Sequence, residues 1–285
     1  MDGPLKLTLL DLPHVTEPRF HVASVAERAG WTRYWVTEHF EAKPGSLGSA
    51  LVCAAVAAER TRTIRVGTAG ILMRYYPSGI AAVQLRSLAA LYPDRIDAGL
   101  AGGWTLVKDK IEREIVEWEF AAKLGLMVEE IRASYWTPSD VTPPDIWYLG
   151  ASVPSARITG NLSIGYGYAL QFKVNNDDPN AIAHYRKTFV PCEQQQEPRA
   201  IVAVAGFCSD SAADAERCAT TATEIWAGGM DPMIVGTPKE CRDKLLALAE
   251  RYDVDEIAFV NLSREREPAS RSIELLGEAL ELKKP

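Results

Sequence analysis

No run of apolar residues in the sequence approaches the roughly 20 needed to cross a bilayer. The first apolar stretch, Leu5 to Leu10, follows Asp2 and Pro4 and is far shorter than a signal h-region flanked by basic residues. A soluble cytoplasmic protein is expected. Clustered Lys and Arg are also missing. With 31 basic residues against 38 acidic ones the net charge is -7, which argues against nucleic acid or an anionic membrane as a partner. The five cysteines, Cys53, Cys192, Cys208, Cys218 and Cys241, are odd in number, scattered, and without the close pairs of a zinc or redox motif. They read as mostly buried thiols in a reducing compartment, with no metal site. No glycine-rich dinucleotide fingerprint follows the first strand, and the glycines of AGLAGGW lie after the fourth strand without G-x-G-x-x-G spacing, so a Rossmann reading is weak. What is present is ordinary globular composition, 47% hydrophobic and 24% charged over 285 residues, enough for one large barrel or two small domains.

Short apolar runs suited to buried parallel strands alternate with longer segments of helical period, the pattern of a parallel α/β architecture. The strands are expected at Leu5 to Leu10, Tyr34 to Thr37, Arg65 to Thr68, Ile96 to Gly99, Ile146 to Leu149, Gly167 to Gln171, Ile201 to Cys208 and Glu256 to Val260. Helices are expected at Pro18 to Ala29, Leu47 to Arg60, Gly79 to Leu91, Val107 to Ser134, Ser155 to Leu162, Pro179 to Phe189, Ala212 to Ala227, Pro238 to Tyr252 and Arg271 to Leu282. In GTPKEC, Thr237 is placed as an N-cap and Pro238 as the first helical residue. Eight strands, each followed by a helix, fit a closed (β/α)8 TIM barrel spanning 1–285 better than an open doubly wound sheet. The longest stretch without a strand, Trp104 to Pro144, holds a densely charged helix and a Pro-rich connector; it reads as a solvated outer helix and loop, with a lid over the barrel mouth as the other reading.

Four segments, YWVTEHF, IRVGTAGILM, LAALYPDRIDAGLAGG and IWYLGASVPSARITGNLSIGYGYALQF, occur in the order found in luciferase-like monooxygenases, and GTPKECRDKLLALAERYDVDEIAF resembles that family's closing helix and strand. Together they touch nearly the whole chain. The sequence resembles a shortened member of the bacterial-luciferase-like flavin oxidoreductases, with fewer residues between the fourth and fifth strands. The resemblance implies a reaction centre at the C-terminal ends of the barrel strands.

His39 matches a histidine implicated in catalysis in the family's E-H-H segment, whose second histidine is Phe40 here. An imidazole at that rim is suited to proton transfer near neutral pH; a lone histidine is otherwise a structural one. Glu38 is read as fixing a neighbouring group rather than as an acid or base. Ala69 and Gly70 match a non-prolyl cis peptide beneath the flavin ring in relatives, and small residues there allow close approach to the backbone; barrel packing alone also favours them. Gly150, Ala151, Ser152 and Ser155, between the fifth strand and a helix, are candidates for holding a phosphate, and Ser155 is equally an ordinary N-cap. Relatives often have Ser at Ala151, Arg at Gly102 and Glu at Val83, so three polar groups near the expected flavin site are lost. Arg74 is a candidate replacement anion ligand or a solvated rim residue, and Tyr75, Tyr76 and Trp104 are candidates for an aromatic substrate pocket or for core.

The resemblance implies an oxygenation that uses O2 and reduced FMN supplied by a separate flavin reductase, on a small organic substrate, in a homodimer or heterodimer. Hydride transfer with the deazaflavin F420 is the second enzymatic reading, and the E-H segment tilts toward FMN. A non-catalytic partner subunit or flavin-storage protein is the reading from a different class, motivated by the lost polar groups.

Overall fold

The computed structural model describes residues 4–12, 20–39, 48–102, 110–133, 140–172, 178–225, 231–263 and 265–284. The strands are β1 (Lys6–Asp11), β2 (Arg33–Val36), β3 (Arg65–Thr68), β4 (Ile71–Leu72), β5 (Ile96–Ala101), β6 (Asp145–Gly150), β7 (Gly165–Ala169), β8 (Ala200–Cys208), β9 (Pro232–Gly236) and β10 (Glu256–Asn261). Between them lie α1 (His21–Arg28), α2 (Ala50–Glu59), α3 (Ser78–Leu91), α4 (Lys110–Arg132), α5 (Val153–Asn161), α6 (Asn180–Thr188), α7 (Ala212–Ile225), α8 (Pro238–Tyr252) and α9 (Arg266–Ala279).

All strand pairs of the barrel are parallel, and the order β1-β2-β3-β5-β6-β7-β8-β10 closes because β10 pairs with β1 and with β8. This is the (β/α)8 barrel the alternating pattern predicts. Two short strands were not expected. β4 follows β3 and pairs with the end of β5, and β9 joins β8 from a bulge between Ala205 and Gly206. β9 opens on Pro232, at a position where a missing N–H is tolerated.

Side-chain alternation separates two apolar layers. Leu7, Leu9, Tyr34, Val36, Tyr148, Val202, Val204, Ile257 and Phe259 pack under the helices. Leu10, Trp35, Trp147, Ile201, Ala203, Ala258 and Val260 fill the barrel, with Trp35 and Trp147 edge to face at 5.3 Å.

At the N-terminal end the filling is ionic. Arg33, at the start of β2, reaches Asp97 at 2.8 Å and Glu256 at 2.9 Å; Arg65 reaches Asp97 at 2.6 Å and Asp145 at 3.2 Å; Arg199 reaches Asp145 at 2.7 Å. The Trp147 ring lies between the guanidinium groups of Arg33 and Arg199, each 5.1 Å away. Acid and base are balanced, Asp97 and Asp145 are each shared by two arginines, and Glu256 also accepts from the Thr8 hydroxyl, the condition under which buried ions are tolerated.

Several boundaries differ from expectation. The sixth barrel strand lies at Gly165–Ala169, two residues before the expected Gly167 to Gln171. The last helix begins at Arg266, not Arg271, with Pro268 in its first turn where its missing N–H costs nothing. The helix after β6 starts at Val153 with Ser152 as N-cap, so Ser155 is the third residue of its first turn rather than the cap. Thr237 and Pro238 occupy their expected places, and the Glu240 carboxylate accepts from the Thr237 N–H at 2.8 Å.

Candidate active site

The rim at the C-terminal ends of β2, β3, β5 and β6 forms one continuous arc. β2 continues past Val36 through Thr37, whose N–H donates to the Asp11 carbonyl at 3.0 Å, and delivers Glu38 and His39 to the rim. Glu38 is 1% exposed. Its carboxylate accepts from the Leu72 N–H at 2.8 Å, the Tyr76 hydroxyl at 2.7 Å and the Ala50 N–H at 3.3 Å. It ties β2 to β4, to the turn after β4 and to the start of α2. Burial pushes its carboxyl above the usual glutamate range, and the three donors only partly offset this. The expected structural role of Glu38 is what the geometry shows. His39 follows, half-buried.

On the neighbouring strand, β3 ends in a cis peptide between Ala69 and Gly70, where the resemblance places one. Both residues are buried, and a Cβ on Gly70 would stand 2.6 Å from the Leu100 carbonyl carbon. The backbones of β3 and β5 are held close by Thr68, whose hydroxyl donates to the Gly99 carbonyl at 2.7 Å and accepts from the Gly99 N–H at 3.1 Å.

At the end of β5, the Gly102 N–H donates to the buried Tyr148 hydroxyl, and Phe120 from α4 packs edge-on against Tyr148 at 5.6 Å. A side chain at Gly102 would press on the Phe120 ring. Beside Gly102 the chain has an aromatic wall of Phe120 and Tyr148. Val83 is half-buried on α3.

β6 leads into Gly150, Ala151 and the first turn of α5. Ser155 is buried and its hydroxyl is used internally: it donates to the Ser152 carbonyl at 2.7 Å, lies 3.2 Å from the Tyr166 hydroxyl and 3.3 Å from the Ser152 N–H. Gly150 is required by that packing, since a Cβ there would meet the Ser155 Oγ at 2.5 Å. Of the expected phosphate group, Ser152 is the exposed one.

Tyr76 is bound to Glu38, while Arg74 and Tyr75 are exposed, Tyr75 by 60%. Trp104 and Phe40 lie outside the described residues. No helix among the described residues is long and apolar enough to cross a membrane.

A sequence profile described as "Luciferase-like monooxygenase" matches residues 19–134, the part that contains β2, β3 and the cis peptide. Over these residues the chain is similar to the luciferase-like monooxygenases. One relative, the uncharacterized protein YwcH of Bacillus subtilis, is 29% identical over 90% of this chain and 91% of its own length. That alignment runs to 305 positions, more than the 285 of this chain, so YwcH carries residues that this chain lacks. Among solved structures, apo-MsnO8 superposes with a TM-score of 0.80 at 27% identity, covering 99% of this chain and 100% of that one. A type II Baeyer–Villiger monooxygenase of Pseudomonas putida, solved in complex with FMN, shares the fold with a TM-score of 0.73 at 16% identity over 98% of each chain.

Sequence reasoning missed the N-terminal ionic plug and both tryptophans at the barrel centre. The available signal was a charged residue at or beside the start of several strands, with an aromatic residue two positions on in RYW and DIW.

Proposed function

We propose that this protein is a flavin-dependent monooxygenase that takes reduced FMN from a separate reductase and oxygenates a small organic substrate. One oxygen atom of O2 enters the substrate and the other leaves as water; reduced FMN, when bound, supplies the two electrons. The observation that carries this reading is the arc itself: a backbone bared of side chains at Ala69–Gly70, beside His39 on the adjoining strand.

The residues present fit a flat ring with an anionic tail. Ala69, Gly70 and Ala151 offer nothing larger than a methyl group toward the mouth. The first turn of α5 offers the Val153 N–H and its helix dipole to a phosphate, beside the exposed Ser152, whose hydroxyl caps the helix by accepting from the Ser155 N–H at 3.3 Å. Ser155 and Gly150 support that turn rather than touching the ligand. His39 holds or releases a proton at its imidazole beside the seat, and the apolar cluster that includes Leu10 and Ala69 keeps water from it.

The test is an anaerobic titration of the purified protein with reduced FMN and with F420, followed by addition of oxygen. Binding of reduced FMN, with oxygen consumption that depends on a substrate, supports the reading. Preferential binding of F420 moves the chemistry to hydride transfer. Binding of neither makes the losses at Ala151, Gly102 and Val83 decisive and turns the chain into a partner subunit.

A further inference from the structure

A cavity of about 940 Å3 lies away from that arc. It opens above the C-terminal ends of β8 and β10, between α7 and the start of α9, and is of a size that holds a small organic ligand. Its floor is apolar: Phe207, Ala222, Leu262 and the Cys218 thiol. In the ring order β8 stands four strands from β3, and β10 four strands from β5. The cavity therefore lies across the barrel mouth from Ala69–Gly70. Its floor and Ala69 belong to one continuous apolar cluster, so no ionic layer separates them.

The rim is charged, and its cations are not equivalent. Arg217 is paired with Asp214 and Arg271 with Asp210. Arg266, the first residue of α9, is exposed and has no ionic partner among the described residues.

We propose that this cavity is the organic-substrate pocket, holding a molecule with an apolar body on Phe207, Ala222 and Leu262 and a hydrogen-bond-accepting end at Arg266. The inference rests on the monooxygenase reading, which requires a second reactant facing the flavin seat. The arc occupies one half of the mouth, and the cavity is the opening that the other half provides.

Anilinonaphthalenesulfonate, an apolar ring system with an anionic end, is the probe. Its fluorescence is titrated on the full chain and on the Ala222→Phe, Thr221→Trp and Arg266→Gln variants, with FMN binding followed separately. The wild type is expected to bind one probe per chain. Each bulky substitution should weaken probe binding about tenfold, a loss of about 1.4 kcal/mol, with FMN affinity unchanged. Arg266→Gln should weaken it several-fold. Thr221 is exposed, so its replacement tests occupancy without burdening the core. Unaltered probe affinity in Thr221→Trp, or displacement of the probe by FMN, overturns the proposal. A protein that binds the probe in this way but binds no FMN refutes the flavin reading alone and leaves the cavity an organic-ligand site.

Discussion

Glu38 and His39 are adjacent in sequence and differ in what surrounds them. Glu38 is enclosed by three donors and acts as a positioning residue for the segment after the cis peptide. Replacing it with Gln turns an acceptor into a group that faces donors with a donor, and should cost about 1–3 kcal/mol. Its pH signature is separable from a merely structural loss. Because its folded-state carboxyl is raised by burial, its contribution is fully present below the ordinary glutamate value of about 4.3 and is lost as pH rises through the raised one. Thermal melts of Glu38→Gln against pH should lack that decline; an unaltered decline would assign it to another group. His39→Ala is expected to lower kcat at least about 100-fold while FMN affinity stays within about twofold, and to remove the near-neutral limb of the rate profile. Unchanged turnover in an FMN-loaded preparation would remove His39 from the mechanism.

At the level of elements, the decisive place is where β3 leaves β5. Ladder pairing between them ends at Gly67 opposite Asp97, and the Thr68 hydroxyl then clamps Gly99 in its place. Thr68→Val keeps the shape but leaves both Gly99 backbone groups unpaired, an expected loss of about 1–3 kcal/mol by chemical denaturation. Gly99→Ala should be far worse, because its Cβ would fall 1.8 Å from the Thr68 carbonyl oxygen, and soluble expression is the measurement. The alternation of strands and helices was legible because buried parallel strands and amphipathic helices leave different periods in the sequence. The clamp was not, since a threonine and a glycine 31 residues apart carry no local sign of meeting. Ser155 shows the same limit. Its hydroxyl suits a phosphate in sequence, and only the packing of Tyr166 and Ser152 around it reveals that it is spent internally.

Across the whole molecule, the barrel is closed at one end by ions and open at the other to apolar surface. Burial works against ionised Asp97, yet Arg33 and Arg65 hold its carboxyl below the usual aspartate range. The stability this contributes is present above about pH 3.9 and is lost as pH falls through the lower folded value, the reverse of Glu38. Asp97→Asn should cost about 3–5 kcal/mol, since it leaves Arg33 and Arg65 buried with one carboxylate fewer, and should flatten the acid limb of stability. A loss under about 1 kcal/mol would mean that water reaches the plug.

By itself the sequence determined the order, number and type of the barrel elements, because periodicity and capping are local properties. Through resemblance it also marked His39 and the Ala69–Gly70 peptide. Only the tertiary structure decided which polar groups are free to act. Hydrogen bonding is settled by the packed surroundings: Glu38 is committed to Leu72 and Tyr76, and Ser152 and Ser155 are committed to each other at the start of α5. It also formed the cavity above β8 and β10, a space that exists only once the ring has closed.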